Sequence, residues 1–139
     1  VLVIDDSYNA SPASMRAALS ILREMKDRRR IAVLGDMKEL GEAEKELHRE
    51  IGAELAVAEG AECLYTLCDL AAELAAACRE RCGADYRPEL RCFSDRESLF
   101  AALKETVKPG DALLFKASNS MRFSELADYF SGQGERGAH

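Results

Sequence analysis

The sequence predicts an α/β fold, a Rossmann-like open, mainly parallel sheet of about five to six strands with helices on both faces. Two observations predict it. Five short apolar runs, each bounded by polar turns, alternate with segments whose apolar residues recur at helical spacing. The runs are continuously apolar, which is typical of strands buried on both faces of a parallel sheet. At 139 residues the chain has room for one domain, which we assign to residues 1–131, followed by a disordered tail over 132–139.

The first strand is the run over residues 1–4, and the first helix begins at Pro12. Ser11 can cap this helix, and Pro12 suits its first position because the N–H that proline lacks would have no partner there. The polar loop between strand and helix holds two aspartates, Tyr8 and Asn9. Ligands of open α/β sheets bind where strands end and helices begin, so these groups suit a nucleoside. A plain solvated turn is the alternative.

The second strand, over residues 31–34, follows a run of three arginines that we predict to be solvated. The next helix runs from about Glu42 to a stop at Gly60. It carries His48, which the pattern predicts to be a neutral residue at or near the surface.

The third strand covers residues 63–67, and its helix covers 69–82, where the alanine-rich stretch predicts core packing. The fourth strand covers residues 90–93. Ser94 and Glu97 follow it with the spacing of a capping box, which predicts a helix start there.

The turn at residues 108–111 leads into the fifth strand, over 112–115. Lys116, Ser118 and Asn119 follow that strand and precede the last helix. A lysine, a hydroxyl, an amide and the free N–H groups of a helix start all attract a carboxylate or a phosphate. A capped helix with a surface lysine is the alternative.

Composition excludes several classes of protein. The net charge of −6 argues against nucleic acid as a partner, because nucleic-acid binding usually needs a basic face. The sequence has no apolar run near the roughly 20 residues of a membrane span and no signal peptide at its start. The five cysteines include no C-x-x-C pair, which indicates reduced thiols in a cytoplasmic protein and predicts no metal site. Because the chain begins inside a strand and without Met, we expect a domain of a longer protein.

Three stretches carry a resemblance to a known family: DDSYNASPASM over residues 5–15, LGDMKELG over 34–41 and KASNSMRF over 116–123. Together they resemble the C-terminal domain of the Mur ligase family, across essentially residues 1–131. The likeness is strongest to the branch that joins D-alanyl-D-alanine to UDP-N-acetylmuramoyl-tripeptide. Asn119 stands where this family often has arginine.

The resemblance implies an ATP-dependent amide ligase of peptidoglycan synthesis. In that family ATP phosphorylates the peptide's terminal carboxylate, and the amine of the dipeptide attacks the acyl phosphate. The implied nucleotide contacts are Asp6, at the ribose, with Tyr8 and Asn9. The implied contacts to the dipeptide carboxylate are Lys116, Ser118 and Asn119. The residues implied to line the cleft between domains are Gly35, Asp36, Met37 and Lys38.

The same resemblance implies that the chain works with an N-terminal and a central domain. Those domains would supply the P-loop, the UDP-sugar site and most of the Mg²⁺ ligands, in agreement with the absence of a P-loop motif from this sequence. The chain alone is therefore expected to be inactive and to hold no catalytic residue.

A phosphoacceptor receiver domain is the alternative function. Receivers resemble this chain in size, in the acidic pair Asp5 and Asp6, and in Lys116 after the fifth strand. Their phosphoacceptor aspartate ends the third strand, and Asp69 is the candidate here.

Overall fold

The computed structural model of the protein describes residues 1–7 and 10–132, in which five strands alternate with five α-helices. The strands are β1 (Leu2–Asp5), β2 (Arg30–Gly35), β3 (Cys63–Leu67), β4 (Glu89–Phe93) and β5 (Ala112–Lys116). The helices are α1 (Pro12–Arg23), α2 (Glu44–Ala58), α3 (Asp69–Arg81), α4 (Arg96–Thr106) and α5 (Phe123–Ser131). Two 3₁₀ turns, Gly41–Ala43 and Asn119–Met121, precede α2 and α5. Each predicted strand is confirmed to within about one residue at either end.

The five strands form one parallel sheet in the order β1-β5-β2-β3-β4. The predicted Rossmann-like architecture is therefore confirmed. This order contradicts the receiver alternative, because the doubly wound order 2-1-3-4-5 of that class places β1 between β2 and β3. Here β1 pairs with β5, and Asp69 is the first residue of α3 rather than the end of a strand.

The sheet separates two apolar layers, since successive side chains of a strand point to opposite faces. In β5, Leu113 and Phe115 pack with α4 and α5, while Ala112 and Leu114 pack with α1, α2 and α3. Helices thus cover both faces, and the polar loops are confined to the two edges at which strands begin and end.

Two local predictions about helix starts have different outcomes. The Ser11 cap of α1 is confirmed, and Ser14 completes a capping box with it. The capping box at Ser94 is wrong, because α4 begins one residue later than that box requires. Asp95 is the N-cap instead and accepts the Ser98 N–H at 2.7 Å.

The prediction of a solvated arginine run is also wrong. The arginines lie at the amino edge, by which we mean the edge of the sheet where the parallel strands begin. Arg29 donates Nε and Nη2 to the buried Asp111 carboxylate at 3.1 and 2.6 Å. Arg30 binds the Glu62 carboxylate through two nitrogens. Both acidic partners lie more than 30 residues away in sequence, so no local pattern could reveal them.

Within residues 1–7 and 10–132, no helix is long and apolar enough to cross a membrane. The predicted tail falls outside the described residues apart from Gly132, which is the C-cap of α5. The boundary at residue 131 stays a prediction.

Candidate functional site

Polar loops meet at the carboxyl edge, which we define as the edge where the parallel strands end. The loop after β1 reaches the end of β5 through the Asp6 N–H, which donates to the Phe115 carbonyl at 3.0 Å. The Lys116 ammonium lies 3.1 Å from Asp6 Oδ2. The lysine side chain is 2% exposed, whereas the aspartate side chain is 49% exposed. The buried Lys116 ammonium therefore fixes the Asp6 carboxylate on its inner side, and the solvent-exposed side of the carboxylate is open to a ligand.

The next residue ties the same loop to the last helix. Ser7 is buried and donates its hydroxyl to Asp5 Oδ1 at 2.5 Å. Its oxygen also lies 3.2 Å from the Ser124 hydroxyl, in the first turn of α5. These bonds restrict the backbone on the C-terminal side of Asp6.

The turn after β5 presents a hydroxyl and an amide. The Ser118 N–H donates to the Asp36 carbonyl at 3.1 Å, and the Ser118 carbonyl accepts the Met121 N–H at 3.0 Å. The Ser118 hydroxyl lies 2.9 Å from that of Ser120. Asn119 is exposed beside it. Such groups can receive a carboxylate or another anion with more than one acceptor oxygen.

The turn after β2 packs against the turn after β5. Gly35, Asp36 and Met37 are buried, and Lys38 is exposed. A Cβ at Gly35 would stand 2.7 Å from the Ala117 Cβ, so the close approach of these two turns requires glycine. The cleft-lining role of residues 35–38 stays a prediction, and Lys38 is the member that reaches solvent.

Asp36 caps a helix from a distance. Its Oδ1 accepts the Ala71 N–H at 2.7 Å in the first turn of α3, where the N-cap residue Cys68 forms no side-chain cap. Burial raises the pKa of the Asp36 carboxyl, and the bond from Ala71 opposes that rise. This role was missed because the cap and the helix are more than 30 residues apart.

The expectation of a surface histidine is wrong. His48 is fully buried, since it precedes Ile51 and Gly52 by one helical turn on the inner face of α2. Its Nε2 accepts the Met37 N–H at 2.9 Å, and Nδ1 lies 2.7 Å from the Glu44 carbonyl. An Nε2 that accepts leaves Nδ1 to donate, which fixes the neutral tautomer. The helical spacing to Ile51 was a signal that could have placed this residue inside.

The predicted site residues are only partly brought together. Asp6 and Lys116 were assigned to different ligands, and the structure joins them in one ion pair. Tyr8 and Asn9, predicted to border the nucleotide, lie outside the described residues. The ligand-binding roles of all these residues stay predictions.

Metal ligands do not converge in the described part of the chain. There, no group of three or more histidine, cysteine, aspartate or glutamate side chains could hold an ion. The five cysteines are free thiols. The described residues therefore do not form a metal site built from three or more protein ligands.

Comparison with known proteins identifies a family and several relatives. Residues 1–119 match the family described as Mur ligase, glutamate ligase domain. The UDP-N-acetylmuramoyl-tripeptide–D-alanyl-D-alanine ligase of Synechocystis is 44% identical over 122 residues, 87% of this chain and 25% of the relative. The ligase of the same name from Bacillus subtilis is 34% identical over 89% of this chain and 26% of its own length. The chain thus spans about a quarter of the length of the curated relatives it matches.

Solved structures agree with this result. The MurF ligase of Thermotoga maritima in complex with ADP superposes with a TM-score of 0.71 at 30% identity, covering 94% of this chain and 28% of that one. A MurF structure from Acinetobacter baumannii gives a TM-score of 0.75 at 26% identity, covering 91% and 26%.

Proposed function

Because this chain belongs to the Mur ligase family, we propose that it is the C-terminal domain of an ATP-dependent ligase that joins D-alanyl-D-alanine to UDP-N-acetylmuramoyl-tripeptide. The observation that carries the proposal is the carboxyl edge itself. There a carboxylate fixed by a buried lysine stands next to a turn that presents a hydroxyl and an amide. In this proposal the ligase belongs to peptidoglycan synthesis, and the rest of its chain supplies the P-loop and the UDP-sugar site.

Asp6 is the proposed contact to the nucleotide. Its half-exposed carboxylate is held by Lys116 and can accept hydrogen bonds from the hydroxyls of a ribose. The described residues contain no P-loop, so the phosphates of ATP would be bound elsewhere. A solved relative contains ADP, which supports a nucleotide as the ligand. Any Mg²⁺ that accompanies ATP is attributed to the other domains.

Ser118 and Asn119 are the proposed contacts to the carboxylate of the dipeptide, with Lys116 behind them. Ser118 is 8% exposed, its hydroxyl lies 2.9 Å from that of the exposed Ser120, and Asn119 is exposed. Lys116 is buried against Asp6, so its ammonium would attract the bound dipeptide carboxylate from the interior of the domain. In this proposal the nucleotide and the dipeptide bind at neighbouring loops of one edge.

The domain would position the reactants and would supply no reacting group. When it closes over the central domain, it would orient the dipeptide amine toward the acyl phosphate and exclude the water that would hydrolyse it. The isolated chain is therefore expected to be inactive.

The test is the activity of the complete polypeptide that contains this domain. It is supplied with UDP-N-acetylmuramoyl-tripeptide, ATP, Mg²⁺ and D-alanyl-D-alanine, and ADP release is followed. We expect release that requires both the dipeptide and the UDP-tripeptide, and an amide product of the two. The same folded polypeptide without turnover, or with ADP release that ignores the dipeptide, would contradict the proposal.

A further inference from the structure

Three buried hydrogen bonds converge on the turn after β2. The Asp36 carbonyl accepts the Ser118 N–H at 3.1 Å, and the Asp36 carboxylate accepts the Ala71 N–H at 2.7 Å. The adjacent Met37 N–H donates to His48 Nε2 at 2.9 Å. We call these five residues the Asp36 brace. It connects the turn after β5 to helices α2 and α3.

The burial of this brace is unusual for a connecting turn. Asp36 is 7% exposed and His48 is 0% exposed. Buried ionisable groups are unfavourable unless they are hydrogen-bonded, and a connecting loop ordinarily lies in water. Both ring nitrogens of His48 and one carboxylate oxygen of Asp36 are bonded to backbone groups. The two side chains therefore fix the position of the main chain rather than form an ion pair with each other.

We propose that Asp36 and His48 are positioning residues that hold Ser118 in place for the carboxylate of the dipeptide. This inference rests on the proposed function, and it adds two residues that do not touch the substrate. A group that orients a reactant has to be held to within about 0.5 Å, and a turn anchored to two helices meets that requirement better than a solvated one.

The brace should act on one ligand only. It contacts the turn after β5 through Ser118. Asp6, the proposed nucleotide contact, is held instead by Lys116 and by the Phe115 carbonyl. Loss of the brace is therefore expected to weaken the dipeptide site while the nucleotide site stays intact.

Amide hydrogen exchange of this chain tests the brace without reference to activity. In Asp36→Ala, we expect exchange at Ala71, Ser118 and Met37 to accelerate at least about tenfold, which corresponds to about 1.4 kcal/mol of lost local stability. Asp36→Asn keeps an acceptor oxygen for Ala71 and should restore slow exchange at all three amides. Asp69→Ala removes an exposed carboxylate from the same helix start and should leave Ser118 unchanged. Acceleration confined to Ala71 would show a local helix cap and overturn the proposal.

Kinetics of the complete ligase test the consequence for the substrate. Asp36→Ala is expected to raise the KM for D-alanyl-D-alanine about tenfold and to change the KM for ATP less than about twofold. Asp36→Asn should return the dipeptide KM to near the wild-type value. If Asp36→Ala does not fold, His48→Ala against His48→Gln makes the same comparison, since the glutamine oxygen can accept the Met37 N–H.

The outcomes separate this inference from the proposed function. A wild-type polypeptide that does not ligate would contradict the function and, with it, the substrate role of the brace. A wild-type polypeptide that ligates, with both KM values raised equally in Asp36→Ala, would overturn the positioning role and leave the function standing.

Discussion

The two edges of the sheet are both rich in charge, but they arrange it differently. At the amino edge, Arg29 and Arg30 pair with Asp111 and Glu62 through two nitrogens each, and the pairs join segments distant in sequence. At the carboxyl edge, Lys116 is buried while its partner Asp6 remains half exposed. Glu62 is almost as exposed as Asp6, at 42% against 49%, so exposure alone does not separate the two edges. Both oxygens of Asp111 and of Glu62 are bonded to their arginine, which stabilises the sheet. Asp6 contacts Lys116 through Oδ2, so this half-exposed carboxylate can also bind a ligand. The comparison assigns stability to one edge and binding to the other.

The largest expected effect comes from breaking the amino edge. Asp111 is 4% exposed and accepts hydrogen bonds from Arg29 and from the Lys108 N–H. Asp111→Ala should lower the free energy of unfolding by about 3 kcal/mol, because it leaves a partly buried guanidinium without its carboxylate. Urea unfolding of this chain measures the loss. The exposed Asp85, replaced by alanine, serves as the control and should stay within about 0.5 kcal/mol.

The same Asp111→Ala variant should leave nucleotide binding unchanged. In the complete ligase, the KM of this variant for ATP is expected to stay within about twofold of wild type, because Asp111 and Asp6 lie at opposite ends of the paired strands β1 and β5. A larger change would contradict the assignment of stability to one edge and binding to the other.

The next effect is at the carboxyl edge and should divide into two parts. Asp6→Ala removes the carboxylate beside the buried Lys116 and should lower the free energy of unfolding by about 2 kcal/mol. Asp6→Asn keeps an oxygen beside the lysine and should cost about 1 kcal/mol or less. Both variants should raise the KM for ATP about tenfold in the complete ligase. An Asp6→Asn enzyme with a wild-type KM for ATP would show that this carboxylate serves the fold alone.

A smaller effect tests whether every acid at the carboxyl edge is functional. Asp95 follows β4 and caps α4 through the Ser98 N–H. Asp95→Ala should lower the free energy of unfolding by about 1 kcal/mol without changing either KM. Ser94→Ala, one residue earlier, is the matched control and should stay within about 0.5 kcal/mol. Equal losses in the two variants would indicate that Ser94 shares the cap.

The smallest expected effect is a difference in pH dependence between the two edges. The hydrogen bonds from Arg30 lower the pKa of Glu62, so its contribution is present above its ordinary pKa of 4.5 and is lost as the pH falls through the lowered value. Burial raises the pKa of Asp36, so its contribution is present below 3.8 and is lost as the pH rises through the raised value. His48, Lys38 and Asp69 also act on the Asp36 carboxyl.

Unfolding followed from pH 3 to pH 7 measures both slopes. In wild type, ionisation of Glu62 should raise the free energy of unfolding as the pH rises, and Glu62→Gln should abolish that rise. Ionisation of Asp36 should lower the free energy of unfolding as the pH rises, and Asp36→Asn should abolish that decrease. Identical profiles for the two variants would contradict the assignment of opposite pKa shifts to the two edges.

Sequence patterns were sufficient where the physical cause is local. The five strands follow from continuous apolar runs, and the Ser11 start of α1 follows from a cap and a proline in adjacent positions. The face that α5 buries also follows from helical spacing, since Phe123, Leu126 and Phe130 are all buried. In each case neighbouring residues determine the outcome.

Sequence patterns were insufficient where a contact is not displayed by neighbouring side chains. The ion pair between Lys116 and Asp6 was not predicted, because the two residues follow different strands and only the pairing of β5 with β1 brings them together. The burial of His48 could have been read from its helical spacing to Ile51, but its two bonds to backbone groups could not, because no side-chain pattern displays them. The start of α4 was missed by one residue because Ser94 and Asp95 are both good caps, and only the helix boundary decides between them.

The position of β5 has a consequence for how the molecule is made. β1 leaves the ribosome before the other four strands of this sheet, but its partner within the described residues is β5, and Leu2 pairs with Ala112. At a translation rate of roughly 5–20 residues per second, β1 waits on the order of ten seconds for that partner. The ion pair between Asp6 and Lys116 forms only after the wait ends. The carboxyl edge is therefore completed only after β5 has been synthesised, and a nascent chain interrupted before residue 116 cannot carry it.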